Sequence, residues 1–390
     1  MAHRNTTLSQ MLKHIPRHEF QSCVNAHKGD YRTRNFNSWT QFVALLLSHV
    51  TQRKSLRDVE SCLESNTHLH YHAGIRSVRR STLSDANKNR SHQIFADFFN
   101  VLYRRLSSLS SKRVLNLNGN VTLLDTTWID LCLTLFPWAK FKGKYAGIRL
   151  HTTYDLNRKV PSCITVTNVK VSESVVARNS TLISGSYFVF DRGIIDFKWF
   201  NKLDENQCFF VTRPRSNAVY KVLTKRKTPH NKNILADEDV LLTGRVTKRK
   251  YSKPLRRVTF KDPQTGKILI FLTNAFHLAP TTIAQLYKKR WEIELFFKWM
   301  KQHFRVKHFL GTSENAVKIQ IWIALTAYVL LAYLKHLSRS KLSMLEITRL
   351  LQVNIFSMIN LLDLFNKKFR RPKQLDPRNQ LIFQMLLTGQ

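Results

Sequence analysis

Residues 121–128, VTLLDTTW, are a run of apolar and β-branched side chains that carries a single carboxylate, Asp125. Residues 186–193, SYFVFDRG, repeat the pattern, with an apolar run closing on Asp191 and then the turn-forming Arg192 and Gly193. Short runs of this composition read as central strands of a sheet. Both carboxylates then fall at strand ends, where open α/β sheets place their chemistry.

The segments around these two runs extend the pattern. VTLLDTT, YAGIRLHTTYDL and SCITVTNV read as three consecutive strands joined by short turns, an antiparallel start. SESVVARNSTLI reads as a helix, SYFVF as the fourth strand, IDFKWFNKL as a second helix and CFFVTRP as the fifth strand. The order β-β-β-α-β-α-β predicts an α+β chain with an RNase H-like core. Asp130, Asp155, Asp196 and Asp204 are rival acids, but they fall in helices, turns or beyond the strand ends, which favours Asp125 and Asp191.

A third acid lies in TIAQLYKKRWEIELFFKWMKQHF, read as one long helix that completes the core. At about 100° per residue, Tyr287, Arg290, Glu294 and Lys301 fall near 0°, ~300°, ~340° and ~320°, inside an arc of roughly 60°. Leu286, Ile293, Phe296, Phe297, Trp299 and Met300 make the helix apolar nearly all round, so it is expected to be buried. A buried carboxylate needs a partner or a metal. One reading pairs Arg290 with Glu294 as an ordinary i,i+4 ion pair. The other brings Asp125, Asp191 and Glu294 together on two divalent ions, the arrangement that in-line phosphodiester displacement requires. All-oxygen ligands suit Mg²⁺ or Mn²⁺.

At these residues the chain resembles the bacterial insertion-sequence transposases of the DDE type, in the group marked by a Tyr-Arg-Glu-Lys signature (insertion-sequence family four). YKKRWEIELFFKWMK matches at Tyr287, Arg290, Glu294 and Lys301, while LLDTTWIDL and FVFDRGIIDF match the first two acidic motifs. The resemblance covers roughly residues 115 to 335. It implies that Asp125, Asp191 and Glu294 are the catalytic and metal-binding acids, and that Tyr287, Arg290, Trp291, Lys298 and Lys301 lie against DNA. It further implies cut-and-paste movement of the element by cleavage and strand transfer. Double-stranded DNA, as terminal inverted repeats and as target, would be the partner, with a homodimer formed on it. An RNase H-like nuclease without strand transfer and a non-catalytic DNA-binding regulator are the alternatives; joining of a 3′-hydroxyl end to a second duplex separates the first, and the three acids oppose the second.

Composition agrees with a nucleic-acid partner. Lys and Arg number 63 against 25 Asp and Glu, a net charge of +38, which drives salt-dependent contact with phosphates. A hydrophobic fraction of 43% in 390 residues excludes a disordered basic tail. The five cysteines, Cys23, Cys62, Cys132, Cys163 and Cys208, form no CxxC pair, which argues against zinc and disulfides and for a reducing cytoplasm. The start MAHRNTTLSQMLKHI lacks the apolar core of a signal peptide. The most apolar run, IWIALTAYVLLAYL, is short against the ~20 residues of a membrane span; it reads as a buried helix under the site, and no membrane partner is expected.

The chain divides, on this reading, into five parts. Residues 1–114 form an N-terminal helical DNA-binding domain, in which Ser55 and Asp58 cap one helix and STLSDANKNR presents Asn87, Asn89 and Arg90 to DNA. Residues 115–213 and 277–340 form the two parts of the core. Residues 214–276 form a basic β-rich insertion, with RRVTF and ILIFLTNAF as a hairpin around Pro263 to Gly266. Residues 341–390 form a helical tail ending in the basic FNKKFRRPKQ, a candidate for DNA or dimer contacts. A chain beginning near Leu115 is expected to keep metal and non-specific DNA binding.

Overall fold

A computed structural model describes residues 5–109, 113–141, 143, 145–178, 180–228, 233–303 and 309–366. The tail from residue 367, where FNKKFRRPKQ was read as a contact segment, lies outside the described residues, as does Phe304 at the end of the long helix read above. The centre is one sheet of ten strands: β1 (Val121–Leu131), β2 (Lys140–Phe141), β3 (Tyr145–Asp155), β4 (Val160–Asn168), β5 (Tyr187–Phe190), β6 (Phe209–Thr212), β7 (Tyr220–Lys225), β8 (Ile234–Leu242), β9 (Leu255–Lys261) and β10 (Ile268–Thr273). Its order is β2-β3-β1-β5-β6-β10-β9-β8-β7, with β4 also on β3. β1, β3 and β4 pair antiparallel, while β5 and β6 continue parallel to β1. This is the expected order, with a two-residue strand added between the first two.

The strands of 220–273 are not a separate sheet. β10 pairs antiparallel with β6, so β10, β9, β8 and β7 prolong the core sheet. RRVTF and ILIFLTNAF do pair across the turn, Lys261 opposite Ile268, with Gly266 at φ +69 where a side chain would be strained. Three ion pairs hold these strands: Arg256 on Asp237 at 2.6 Å, Arg257 on Glu238, and Arg226 on Asp239 at 2.7 Å. Arg256 also donates to the Phe276 carbonyl at 3.2 Å, anchoring the return of the chain to the core.

The helix Glu314–Leu337 is the spine of the molecule. Ser313 caps its first turn by accepting from the Ala316 amide. It packs against β4 on one side and against the helices Ser38–Val50, Arg80–Asn89 and Gln93–Ser107 on the other. Trp322 meets Phe99 with ring centroids 5.5 Å apart, and His49 is 3.0 Å from the Gln320 carbonyl. Its length and apolarity would also suit a membrane span, yet 78% of its most apolar stretch is buried inside the protein. The N-terminal helices therefore share one hydrophobic core with the sheet. Tyr103, in Gln93–Ser107, donates to Asp155 at the end of β3 at 3.1 Å, a second tie between the two parts.

The segment read as one long helix is two. Pro280–Lys288 and Trp291–His303 meet at Lys289 and Arg290. There the amides of Arg290, Glu292 and Ile293 bond three residues back, to Tyr287, Lys289 and Arg290, instead of four. Such a tightened turn changes the helix direction, so the 100° arithmetic does not carry across Arg290.

Candidate active site

The last parallel pair between β1 and β5 is Leu124 opposite Phe190, so the next residue on each strand is a carboxylate: Asp125 and Asp191. β5 stops there, and Asp191 turns into the short helix Arg192–Ile194 with its carboxylate accepting from the Gly193 amide at 2.7 Å. A side chain at Gly193 would press on two of the carboxylates. Its Cβ would lie 2.9 Å from Glu173 Oε2 and 3.0 Å from Asp191 Oδ1. Asp125 is not at a strand end as expected, since β1 runs on to Leu131; the helix Trp291–His303 brings Glu294 over the point where β5 stops beside β1. It is pinned from beneath: Phe296 packs on Tyr154 of β3 at 5.7 Å, and Trp299 packs edge-on against Tyr328 of the spine at 4.6 Å.

Asp125, Thr126, Thr127, Asp191, Arg290, Glu294, Phe297, Lys298 and Lys301 line one open cleft of about 460 Å³. The Arg290 guanidinium donates to Asp125 Oδ2 at 3.1 Å and also to Glu294, bridging two of the three acids. Both readings of Arg290 thus hold at once: it is the i,i+4 partner of Glu294 and a cation in the cleft. Burial pushes the Asp125 carboxyl up to about 6, against the pull of Arg290 and the Thr126 amide, with Asp191 and Glu294 adding to the rise. Burial, and Asp191 beside it, also raise Glu173 above the usual carboxylate range.

Among the described residues, no three His, Cys, Asp or Glu side chains surround one ion-sized point as they stand. Arg290 lies between two of the acids. Two buried donors next to Asp125 are also unpaired: Arg290 Nε and the hydroxyl of Thr152, whose residue is the β3 partner of Asp125. An all-oxygen acid set with raised proton affinity, and orphan donors beside it, fits a site completed by cations and phosphates.

The other predicted residues divide. Lys298 and Lys301 line the cleft. Tyr287 is outside the lining, packed tilted against Phe271 at 5.0 Å with the Arg290 guanidinium 5.9 Å from its ring. Trp291 is outside the lining and is 59% exposed, not buried as a helix apolar all round would require. Asn87 and Arg90 are not presented to solvent. Asn87 is buried and accepts from Gln41 at 2.8 Å, while Arg90 donates to the Gly29 and Phe36 carbonyls at 2.9 and 2.7 Å and to Gln41 at 2.7 Å. Their hydrogen-bonding groups are used inside the protein; Asn89 remains exposed.

The rival acids have structural partners. Asp130 meets the Trp128 indole, Asp155 holds Tyr103 and Arg158, Asp196 caps Phe197–Glu205 and pairs with Arg178, and Asp204 accepts from Tyr251. Sequence reasoning missed Thr126, Thr127 and Phe297 in the lining. The two threonines directly follow Asp125, which was a usable signal. Glu173, outside the lining but beside Asp191, had none, because the packing of Glu173–Arg178 on the Asp191 turn brings it near.

Residues 117–330 match the family model described as a transposase DDE domain, and residues 3–76 match a domain of unknown function. A putative transposase of Sinorhizobium fredii, y4zB, is 34% identical over 69% of this chain and 75% of its own length. The probable transposase of insertion sequence element IS5377 from Geobacillus stearothermophilus is 27% identical over 67% of this chain and 68% of its own. The putative transposase of element IS4SA from Synechocystis is 24% identical over 71% and 78%. A solved piggyBac transposase synaptic complex with hairpin DNA overlays 97% of this chain and 84% of its own at 13% identity and a TM-score of 0.46, too loose a likeness to argue from.

Proposed function

The chain belongs to the transposase DDE domain family, a DNA-cleaving and DNA-joining enzyme, and we propose that it works through the Asp125–Asp191–Glu294 cleft on the ends of its own insertion sequence. The observation that supports this most is the common cleft itself: three carboxylates from β1, the end of β5 and the helix Trp291–His303, ringed by Arg290, Lys298 and Lys301. Asp125, Asp191 and Glu294 would hold two Mg²⁺ or Mn²⁺ ions. Those ions, when bound, activate the attacking oxygen and neutralise the leaving one.

The protein's own part is placement. Asp125 and Asp191 are fixed by adjacent strands, and their carboxylates by the Thr126 and Gly193 amides. Arg290 holds the acids' charge in the free enzyme; with cations present it is released toward a phosphate, where its unpaired Nε gains an acceptor and its flat fork makes charge-assisted bonds. Lys298 and Lys301 add cations along the helix Trp291–His303. Trp291, exposed beside the cleft with Lys288 one turn before it, supplies a face on which a base can stack. The exposed Arg245, Lys248, Arg249 and Lys250 of 214–276, together with Asn89 and its neighbours, extend the phosphate contacts. Two element ends require two clefts, so the acting form is a homodimer on double-stranded DNA. Cut-and-paste joining is the outcome.

The test is a duplex made from the DNA that flanks the reading frame, incubated with purified protein and Mg²⁺. Cleavage at an inverted repeat, followed by joining of its 3′-hydroxyl to a second duplex, is expected. Cleavage without any joined product would support a nuclease instead.

A further inference from the structure

β1 loses a neighbour just where the chemistry begins. β5 ends at Phe190, opposite Leu124, while β1 runs on to Leu131 paired with β3. Asp125 sits on that boundary. Its carboxylate is held by the backbone of the next residue, the Thr126 amide donating to Oδ1 at 2.9 Å. The position of Asp125 therefore depends on what steadies Thr126.

A hydrogen-bonded chain crosses three strands to do so. Thr126 of β1 lies opposite His151 of β3. The Thr126 hydroxyl is 3.0 Å from His151 Nδ1, and His151 Nε2 is 2.9 Å from the Thr167 hydroxyl of β4. His151 is 5% exposed. Burial, with Arg149 nearby, pushes it down to about 4, so it is neutral at physiological pH, with one N–H and one bare nitrogen. Either tautomer completes the chain, since each hydroxyl can donate or accept. An apolar side chain would have filled this space without two polar partners to satisfy.

We propose that His151 is a positioning residue, fixing Thr126 across the sheet so that the Thr126 amide holds Asp125 in the orientation that binds the metal ion. The inference rests on the metal-site reading given above. His151 touches neither metal nor DNA; it acts through Thr126.

The test uses the full chain, purified free of metal, with Mn²⁺ as the probe. Thr126→Val removes the hydroxyl and keeps the shape, His151→Leu removes both ring nitrogens, and His151→Gln keeps a donor and an acceptor. Thr126→Val and His151→Leu are each expected to weaken Mn²⁺ binding in calorimetry by about 10–100-fold, the usual loss when a group orienting a ligand is removed. The double variant should be no weaker than the weaker single variant, and His151→Gln should recover most of the loss. Metal-free affinity for a plasmid duplex should stay within about twofold, since phosphate contacts set it. Unchanged Mn²⁺ affinity in Thr126→Val, or additive losses in the double variant, overturns the proposal, and the threonine variant decides the matter even if His151→Leu does not fold. If Asp125→Asn itself keeps full Mn²⁺ affinity, the metal-site reading fails and takes this inference with it. If Asp125→Asn loses Mn²⁺ while Thr126→Val does not, only the role of His151 is rejected.

Discussion

Arg290 donates to Asp125 across 3.1 Å, from the turn between two helices to a strand 165 residues away in sequence. The same guanidinium reaches Glu294, so in the free enzyme one arginine balances two of three clustered acids. Removing it leaves them facing one another. Arg290→Ala should therefore raise the Asp125 carboxyl further, because the guanidinium is the strongest influence holding it down. Infrared or NMR titration of the metal-free variant checks the direction. An unmoved Asp125 would mean that the contact does not form in solution.

Asp125→Asn, Asp191→Asn and Glu294→Gln each keep shape and remove one ligand charge. Each should lower Mg²⁺-dependent cleavage by about 10³-fold or more, since a catalytic ion contributes several kcal/mol at the transition state. DNA binding should persist, because affinity lives on the net charge of +38. A variant that cleaves near the wild-type rate identifies a misassigned acid.

The cluster also costs stability when no cation is present. The folded Asp125 carboxyl is raised from 3.8 to about 6. A raised group contributes stability that is full below about pH 4 and is lost as pH climbs through about 6. Metal-free Asp125→Asn should thus match wild type near pH 4 and exceed it above pH 7, by about 1–3 kcal/mol at roughly 1.4 kcal/mol per pKa unit. Added Mg²⁺ should raise the Tm of the wild type and not of the variant. Thermal melts across pH 4–8 measure both effects.

Lys298 and Lys301 share the cleft with the acids. Replacing either with Ala should reduce the slope of log affinity against log salt by about one unit, the signature of one lost phosphate contact. A steady slope with a lowered Tm would assign the side chain to packing.

Arg90→Ala should act on folding. The variant leaves the Gly29 and Phe36 carbonyls and Gln41 without their donor, and each unsatisfied buried acceptor costs about 1–3 kcal/mol. The ratio of affinity for an element end over a scrambled duplex should change little for the fraction that folds. Asn89→Ala, on the exposed side, should show the opposite pair of effects.

The legible parts of this molecule were the local ones. Apolar runs closing on Asp125 and Asp191 announce two central strands, because a strand's composition is set by what covers it. The spacing of Arg290 and Glu294 announces one polar face. The break at Lys289 was not visible, since nothing in that stretch disfavours a helix; the direction change accompanies the pull of Arg290 toward Asp125, a contact distant in sequence. Asn87 and Arg90 misled for a related reason. A polar side chain that reads a base and one that satisfies a buried carbonyl are the same chemistry, and only the fold shows which partner is near. The joining of β10 to β6 was likewise hidden, because pairing between distant strands leaves no local mark.

The spine helix Glu314–Leu337 also dictates an order of events during synthesis. Phe42, Phe99 and their neighbours in the first hundred residues are fully buried, and part of what buries them is Trp322 and the rest of that helix. Until residue 337 has left the ribosome, the earlier helices can close on one another, as Phe20, Phe42 and Phe98 do, but the faces that meet the spine stay uncovered. A nascent chain therefore carries exposed apolar faces through most of its translation, and its most separated contacts form last, a pattern that slows folding. A chain begun near Leu115 meets the mirror problem, with the spine finished and its covering helices missing, so it is expected to aggregate instead of retaining DNA binding.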